Sequence, residues 1–291
     1  MAIVVVAGSA SRDLAHRTAD LLTGKVVDPE AKTFPDGERY VRLPSKLEGT
    51  VLVVQSTAPD TSLVELLFLL EAARAAGAKR VVAAVPYFAY ARQDRRFQDG
   101  EALSAKVIAQ AIGRLCDGAV TIDPHKAVLV DFFGVPARHE SAVPQLAEEF
   151  RRLRVDTVLA PDKGAMDRAT VAADLLGCAV DHLEKTRLSS TEVQIKAKSL
   201  DVRGKRVAIL DDMISTGGTM ATAIRELKRQ GAAFVAAACT HGLFVSDAAS
   251  KLKTAGADEI LATDTLPNPF ARVTAATALA AGFRELEGAK R

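Results

Sequence analysis

The segment Val207-Ala208-Ile209-Leu210-Asp211-Asp212-Met213-Ile214-Ser215-Thr216-Gly217-Gly218-Thr219 runs from an apolar strand into two adjacent acids, then into a loop of small and hydroxyl-bearing residues that opens a helix. At a helix start the first backbone N–H groups have no intrahelical partner and the helix dipole favours an anion. Gly217 and Gly218 remove side chains so that backbone can wrap a phosphate, while Ser215, Thr216 and Thr219 surround it with hydroxyls. Asp211 and Asp212, at the carboxyl end of the strand, can accept from sugar hydroxyls or hold a metal. No Gly-Lys-Ser/Thr follows, so this is not a Walker loop. The chemistry indicated is the holding of a phosphorylated sugar.

Such a loop needs a strand to end it and a helix to begin it, and the surrounding sequence supplies both. Short β-branched runs alternate with Ala/Leu-rich stretches. Val51–Val54 leads to a helix-like stretch from Ser62 to Ala76, closed by Gly77, and then to the apolar run Val81–Val85. This is the pattern of a βαβ unit in a parallel sheet buried on both faces. The layout returns at Gly204–Leu210, a helix from about Thr219 to Gln230, Gly231, and Phe234–Cys239. Gly204 lies 155 residues after Gly49, and Gly231 lies 154 after Gly77. The register predicts a duplicated α/β architecture, with domains over 1–148 and 149–291. The join is placed where Arg151-Arg152-Leu153-Arg154 ends a helix before the strand Thr157–Ala160.

Composition narrows the class. The chain has 291 residues, 48% hydrophobic and 25% charged, with a net charge of +2. That balance suits a soluble, well-cored protein and offers no electrostatic ground for a nucleic-acid or membrane partner. Cys116, Cys178 and Cys239 are scattered through apolar stretches, which predicts buried free thiols in a reducing compartment. The apolar start Ile3–Val6 lacks the basic lead and long core of a signal peptide. No run approaches the roughly 18 apolar residues of a membrane helix. A cytoplasmic protein is expected.

The Asp211–Thr219 segment resembles the phosphoribosyl pyrophosphate motif shared by type I phosphoribosyltransferases and by the enzymes that make their substrate, and alone it leaves both open. Other segments resemble the ribose-phosphate pyrophosphokinase family specifically. They are Phe34-Pro35-Asp36-Gly37-Glu38; Pro86-Tyr87-Phe88-Ala89-Tyr90-Ala91-Arg92-Gln93-Asp94-Arg95-Arg96; Thr121-Ile122-Asp123-Pro124-His125 with Asp131–Pro136; Leu159-Ala160-Pro161-Asp162-Lys163-Gly164; and Thr240-His241-Gly242-Leu243-Phe244. The resemblance runs from about Gly8 to the helix near Thr274, with the motifs in family order.

That resemblance implies two tandem phosphoribosyltransferase-like (Rossmann-like) α/β domains with mainly parallel sheets, the first contributing to an ATP site and the second carrying the ribose 5-phosphate loop. It implies a Mg2+-dependent transfer of diphosphate from ATP to ribose 5-phosphate. Phe34, Asp36 and Glu38 would contact adenine across a subunit boundary, which makes a homo-oligomer, at least a dimer, the expected state. Arg92, Gln93 and Asp94 would bind ATP, with the Arg92 guanidinium suited to phosphate oxygens. His125 and Asp162 resemble a metal-linked pair. Nitrogen is the less natural ligand for Mg2+, so His125 can alternatively donate to the developing phosphoryl charge. Lys185 and Arg187 match a catalytic loop continuing through the polar stretch Leu188–Ser199, where two cations could neutralise the migrating diphosphate. The rival readings are a phosphoribosyltransferase and a non-catalytic regulatory homologue.

Three departures from the family pattern stand out. Ser215 replaces a frequent acid. Gln98-Asp99-Gly100-Glu101 is acidic where bacterial-type members carry small and basic residues tied to an anionic regulator. The C-terminus stops soon after Glu287. Weak or absent inhibition by ADP through that regulatory site is therefore expected.

Overall fold

The structure, a computed structural model, describes residues 3–187, 193–197 and 201–288. It divides into two compact units: one holds residues up to Ser141, 265–267 and the segment from Thr274 onward; the other holds Ala142–Asp264 and Asn268–Val273.

In the first unit, strands β1 (Ile3–Ala7), β2 (Lys25–Val27), β5 (Thr50–Val54), β6 (Arg80–Val85), β7 (Gly118–Ile122) and β8 (Ala137–Glu140) form one sheet. Its order is β2-β1-β5-β6-β7-β8, and every pairing is parallel. Helices α1 (Arg12–Leu22), α2 (Asp60–Ala75) and α3 (Ser104–Gly113) make the crossovers. Two further strands, β3 (Glu30–Thr33) and β4 (Arg39–Arg42), form a separate antiparallel hairpin.

The second unit repeats the plan. Its strands are β9 (Thr157–Ala160), β10 (Ala179–Arg187), β11 (Val193–Ala197), β12 (Arg206–Ile214), β13 (Phe234–Gly242), β14 (Glu259–Thr263) and β15 (Ala271–Val273). They run in the order β11-β10-β9-β12-β13-β14-β15, parallel except for the antiparallel β10–β11 hairpin. Counted by appearance, the six parallel strands of each unit follow the same order, second-first-third-fourth-fifth-sixth. Each unit also inserts a hairpin strand or pair between its second and third parallel strands. The duplication expected from glycine spacing is thus present in the topology itself.

Alternation explains why β12 can be apolar at every position up to its acids. Val207 and Ile209 enter one cluster with Ile224, Leu227 and Leu252, while Ala208 and Leu210 enter another with Leu146, Phe150 and Ala169. Both faces are covered, as a parallel sheet requires. Helices α4 (Val143–Arg152), α5 (Met166–Leu176), α6 (Gly218–Arg229) and α7 (Ala248–Thr254) do the covering.

The packing boundary differs from the 148/149 join expected from sequence. Helix α4 points Val143, Leu146, Ala147 and Phe150 into the second unit's core, so the break comes before it, at Ser141/Ala142. The last helix, α8 (Ala276–Gly288), returns to the first unit, against α1, β7 and β8. Arg80 Nε pairs with Glu287 Oε1 at 2.7 Å, and Arg284 donates to the Leu21 carbonyl at 2.5 Å. A helix's ends are readable from sequence; which of two similar sheets it covers is not.

The three cysteines are free, Cys116 and Cys239 buried and Cys178 half-buried. Burial pushes the Cys116 thiol up to about 11. No described helix is long and apolar enough to cross a membrane.

Candidate active site

Open α/β sheets bind ligands at the carboxyl ends of their strands, where the strand order reverses. In the second unit that point lies between β9 and β12. Asp162 follows β9 directly, and Asp211 and Asp212 lie near the carboxyl end of β12, beyond its last residue paired with β9, Ile209.

Helix α6 begins at Gly218 with no side-chain cap. Its first N–H groups are therefore left for a ligand or solvent. Gly217 has φ +72, the left-handed region, and an added Cβ would sit 3.3 Å from the Ala248 carbonyl oxygen, so glycine is required there twice over. Thr216, Gly218 and Thr219 are exposed and Ser215 is half-buried. The loop is held from beneath by backbone: Leu243 and Phe244 donate to the Ile214 carbonyl and Val245 to that of Ser215, all at 3.0 Å. That is the work of the Thr240–Phe244 segment, whose place beside the loop sequence could not show.

The acids are organised by a residue that sequence reasoning missed. Arg168, on α5, places Nη1 3.3 Å from Asp211 Oδ1 and 3.5 Å from Asp212 Oδ1. Asp211 Oδ1 also accepts from the Asp212 N–H at 2.8 Å, and Asp212 Oδ1 from the Met213 N–H at 2.9 Å. Asp212 is buried, whereas the Asp211 side chain keeps 27% exposure. Burial, then the neighbouring Asp212 charge, push Asp211 above the usual carboxylate range, and Arg168 only partly opposes them.

A carboxyl group with a raised folded pKa costs stability above its unfolded pKa, because the folded state holds its proton more tightly. The cost is absent below the unfolded pKa and grows as pH rises through the folded one. Asp211→Asn, which keeps an acceptor for the Asp212 N–H, is therefore expected to melt higher than the parent at pH 8 in substrate-free buffer. That gain should shrink toward zero near pH 4. A pH-independent difference in melting temperature would refute the assignment.

At the corresponding point in the first unit, between β1 and β5, the polar groups are tied to one another. Gln55 Oε1 accepts from the Ala10 N–H at 2.9 Å, Ser11 Oγ accepts from the Ser56 N–H at 2.9 Å, and Gln55, Ser56 and Thr57 are fully buried.

The other expected residues of the first unit lie beyond strand ends or on the hairpin. Phe34, Asp36 and Glu38 form the exposed tip of β3–β4. The tip is closed by Phe34 N–H to the Glu38 carbonyl at 2.8 Å, and Glu38 N–H donates to Asp36 Oδ1 at 3.1 Å. Lys32 Nζ sits 4.9 Å from the Phe34 ring centre and 5.1 Å from that of Tyr40. Arg92, exposed, and Gln93 and Asp94, half-buried, follow β6 on a loop anchored by Phe88, which packs edge-on against Phe133 at 5.7 Å. Ser56 and Thr57 pin that loop's start, accepting from the N–H groups of Tyr87 and Ala89 at 3.0 and 2.7 Å.

Glu101 does not stand out toward solvent as a charge facing a polyphosphate. Its Oε2 accepts from the Phe97 N–H at 2.7 Å and from Gln93 Nε2 at 2.9 Å, and these bonds hold its carboxyl below the usual range. Glu101 thus staples the loop that carries Arg92–Arg96. Sequence reasoning read Glu101 by its charge alone and did not foresee this tie.

His125 is half-buried, two residues past Asp123 and its left-handed φ of +36. Asp162 is exposed and accepts from the Gly164 N–H at 2.8 Å. Lys185 and Arg187 lie on β10, in register with Ile195 and Val193 of β11. The remainder of the expected loop, 188–192 and 198–200, falls outside the described residues.

Among the described residues no group of three or more His, Cys, Asp or Glu could hold a metal alone. Magnesium is ordinarily held by one or two carboxylates together with substrate phosphates, and the carboxylates of Asp162 and Asp211 are open to that mode. The donor set fits.

Comparison with known proteins agrees over the whole length. Residues 3–115 match the model of the N-terminal domain of ribose phosphate pyrophosphokinase, and 139–269 that of the phosphoribosyl transferase domain. A ribose-phosphate pyrophosphokinase of Methanopyrus kandleri is 44% identical over 292 residues, covering 98% of this chain and all of the relative. One from Methanothermobacter thermautotrophicus is 42% identical, covering 95% and 98%. The crystal structure of phosphoribosylpyrophosphate synthetase from Mycobacterium smegmatis superposes with a TM-score of 0.85 at 31% identity, covering 99% of this chain and all of that one.

Proposed function

The chain belongs to the ribose-phosphate pyrophosphokinase family, enzymes that transfer diphosphate from ATP to ribose 5-phosphate, and we propose how its own residues divide that work. The reading rests on one observation above the rest: at the strand-order reversal between β9 and β12, β12 ends in an acid pair held by Arg168 and leads into a helix start with no side-chain cap.

The 5-phosphate sits on Ser215–Thr219, taking the free N–H groups of α6 and the hydroxyls around them. Asp211 and Asp212, oriented by Arg168, accept from the ribose hydroxyls and hold the sugar's O1 toward ATP. Phe34 stacks on adenine, with Asp36 and Glu38 accepting from amino or hydroxyl groups. Arg92 takes phosphate oxygens, while Gln93 and Asp94 complete the nucleotide contacts. The 1-hydroxyl oxygen attacks the β-phosphorus and its proton is released to solvent, while the bond to the α-phosphate oxygen breaks and AMP leaves with the electron pair. Lys185, Arg187 and His125 meet the negative charge as it spreads over the moving diphosphate. Asp162 and Asp211 of the second unit are the groups that would hold Mg2+, which when bound would neutralise the polyphosphate.

The substrates, ATP and ribose 5-phosphate, accord with a cytoplasmic place of work. Incubation with Mg-ATP should yield AMP and 5-phosphoribosyl 1-diphosphate only when ribose 5-phosphate is present. AMP formation independent of the sugar, or none at all, would overturn the reading. A phosphoribosyltransferase would instead consume 5-phosphoribosyl diphosphate and release no AMP from ATP.

An exposed hairpin tip that contributes to a nucleotide pocket favours completion of that pocket by a second copy of the chain. A homo-oligomer, at minimum a dimer, is expected at assay concentrations. Light scattering run beside kinetics checks this, and a fully active monomer would refute it.

A further inference from the structure

The β3–β4 hairpin is hydrogen-bonded to neither main sheet. An isolated two-stranded hairpin is marginal in water, so something other than strand pairing must set where its tip points. Along β4 the half-buried residues are Arg39 and Val41, and the exposed ones Tyr40 and Arg42. Val41 packs on the apolar core of the first unit. Apolar contact of this kind gives adhesion without direction.

Direction comes from Arg39. Its partner, Glu65 of α2, is 1% exposed and fixed to the body of the unit, accepting from the Ser9 N–H at 2.8 Å and Ser9 Oγ at 2.6 Å. Arg39 reaches it through Nε at 3.0 Å and again through Nη2. Nη2 also donates to Ser9 Oγ at 3.2 Å, and Nη1 to Thr33 Oγ1 at 3.0 Å. Thr33 is Arg39's partner across the hairpin and directly precedes Phe34. One guanidinium therefore ties α2, the loop after β1 and both strands of the hairpin at the base of its tip. The fork supplies several donors in fixed geometry, which the single point charge of a lysine does not. A buried carboxylate also makes misalignment costly, because an aim that loses Arg39 leaves Glu65 uncompensated.

We propose that Arg39, locked on Glu65, is a positioning residue that aims the Phe34 tip at the nucleotide and so sets ATP affinity without touching the reacting atoms. This rests on the reading of Phe34 as the adenine contact, and the test separates the two. The chain has no tryptophan, so Phe34→Trp places a sole tryptophan, excitable at wavelengths where tyrosine does not absorb, at the tip. Its emission should change on titration with Mg-ATP in the absence of ribose 5-phosphate.

In that background Arg39→Met should raise the half-saturating ATP concentration about tenfold, a part of the affinity that base stacking on an aromatic ring confers. In the parent enzyme Arg39→Met should raise KM for ATP to the same degree, leave kcat within about twofold, and leave KM for ribose 5-phosphate unchanged. Arg39→Lys should fall between. The double variant Arg39→Met/Glu65→Gln, which leaves no buried charge unpaired, should repeat the KM effect with a cooperative melt. An unchanged ATP affinity in both methionine variants, or equal losses in kcat and every KM, would overturn the positioning role alone. A tip tryptophan blind to Mg-ATP, together with a normal ATP KM in Phe34→Ala, would overturn both it and the adenine assignment.

Discussion

Replacing Lys185 or Arg187 by alanine is expected to lower kcat on the order of 10²–10³-fold while leaving KM for ATP within about threefold. The transfer needs little covalent help from the protein, so the barrier depends on positioning and on cations that meet charge as it develops. A group that acts only there lowers kcat and spares ground-state binding. Lys185 and Arg187 lie where β10 pairs with β11 in an antiparallel hairpin rather than in the sheet's parallel body. Initial rates against ATP at saturating ribose 5-phosphate check the outcome. Near-normal turnover in both variants would remove these residues from the chemistry.

A second large effect is expected from Gly218→Asp. An added Cβ at Gly218 meets nothing within 4 Å, so the side chain fits without strain. An acid in the first turn of α6 is favourable for the helix, by about 0.3–1 kcal/mol. The same acid would stand where the 5-phosphate belongs, and two like charges about 4 Å apart repel by about 4 kcal/mol at an effective dielectric of about 20. KM for ribose 5-phosphate should rise on the order of 10²–10³-fold while the melting temperature holds or increases. Such a split between stability and binding would single out an anion site rather than a structural turn. An unaltered KM would place the phosphate elsewhere.

The parts of this molecule that were legible in its sequence are those fixed by local rules. The helix expected over Ser62 to Ala76 is α2 at Asp60–Ala75, and that expected from Thr219 to Gln230 is α6 at Gly218–Arg229. The strand Thr157–Ala160 falls on β9 residue for residue. Apolar runs, glycine stops and a hydroxyl-rich helix start are short-range signals. What was not legible depends on contacts far apart in sequence. Arg168 is one of 38 basic residues, set in the first turn of an ordinary helix, and only the meeting of α5 with the end of β12 gives it the acid pair. Nothing in the local pattern of α2 marks Glu65 as buried; only Ser9 and Arg39, far away in sequence, close over it. Glu101 was read by its charge, and its hydrogen bonds to Phe97 and Gln93 show only in the structure. Pattern reports which residues are present, whereas the partners of a charged side chain are decided by topology.

The return of α8 to the first unit has a consequence for how the chain is made. The second unit's segments are complete once Val273 has been synthesised, but the first unit still lacks residues 276–288. Until that helix emerges from the ribosome, β7, β8 and α1 lack the layer that α8 provides. The half of the enzyme begun first is therefore the half finished last. During translation it is the N-terminal unit, with its apolar face still open, that most needs a chaperone's cover.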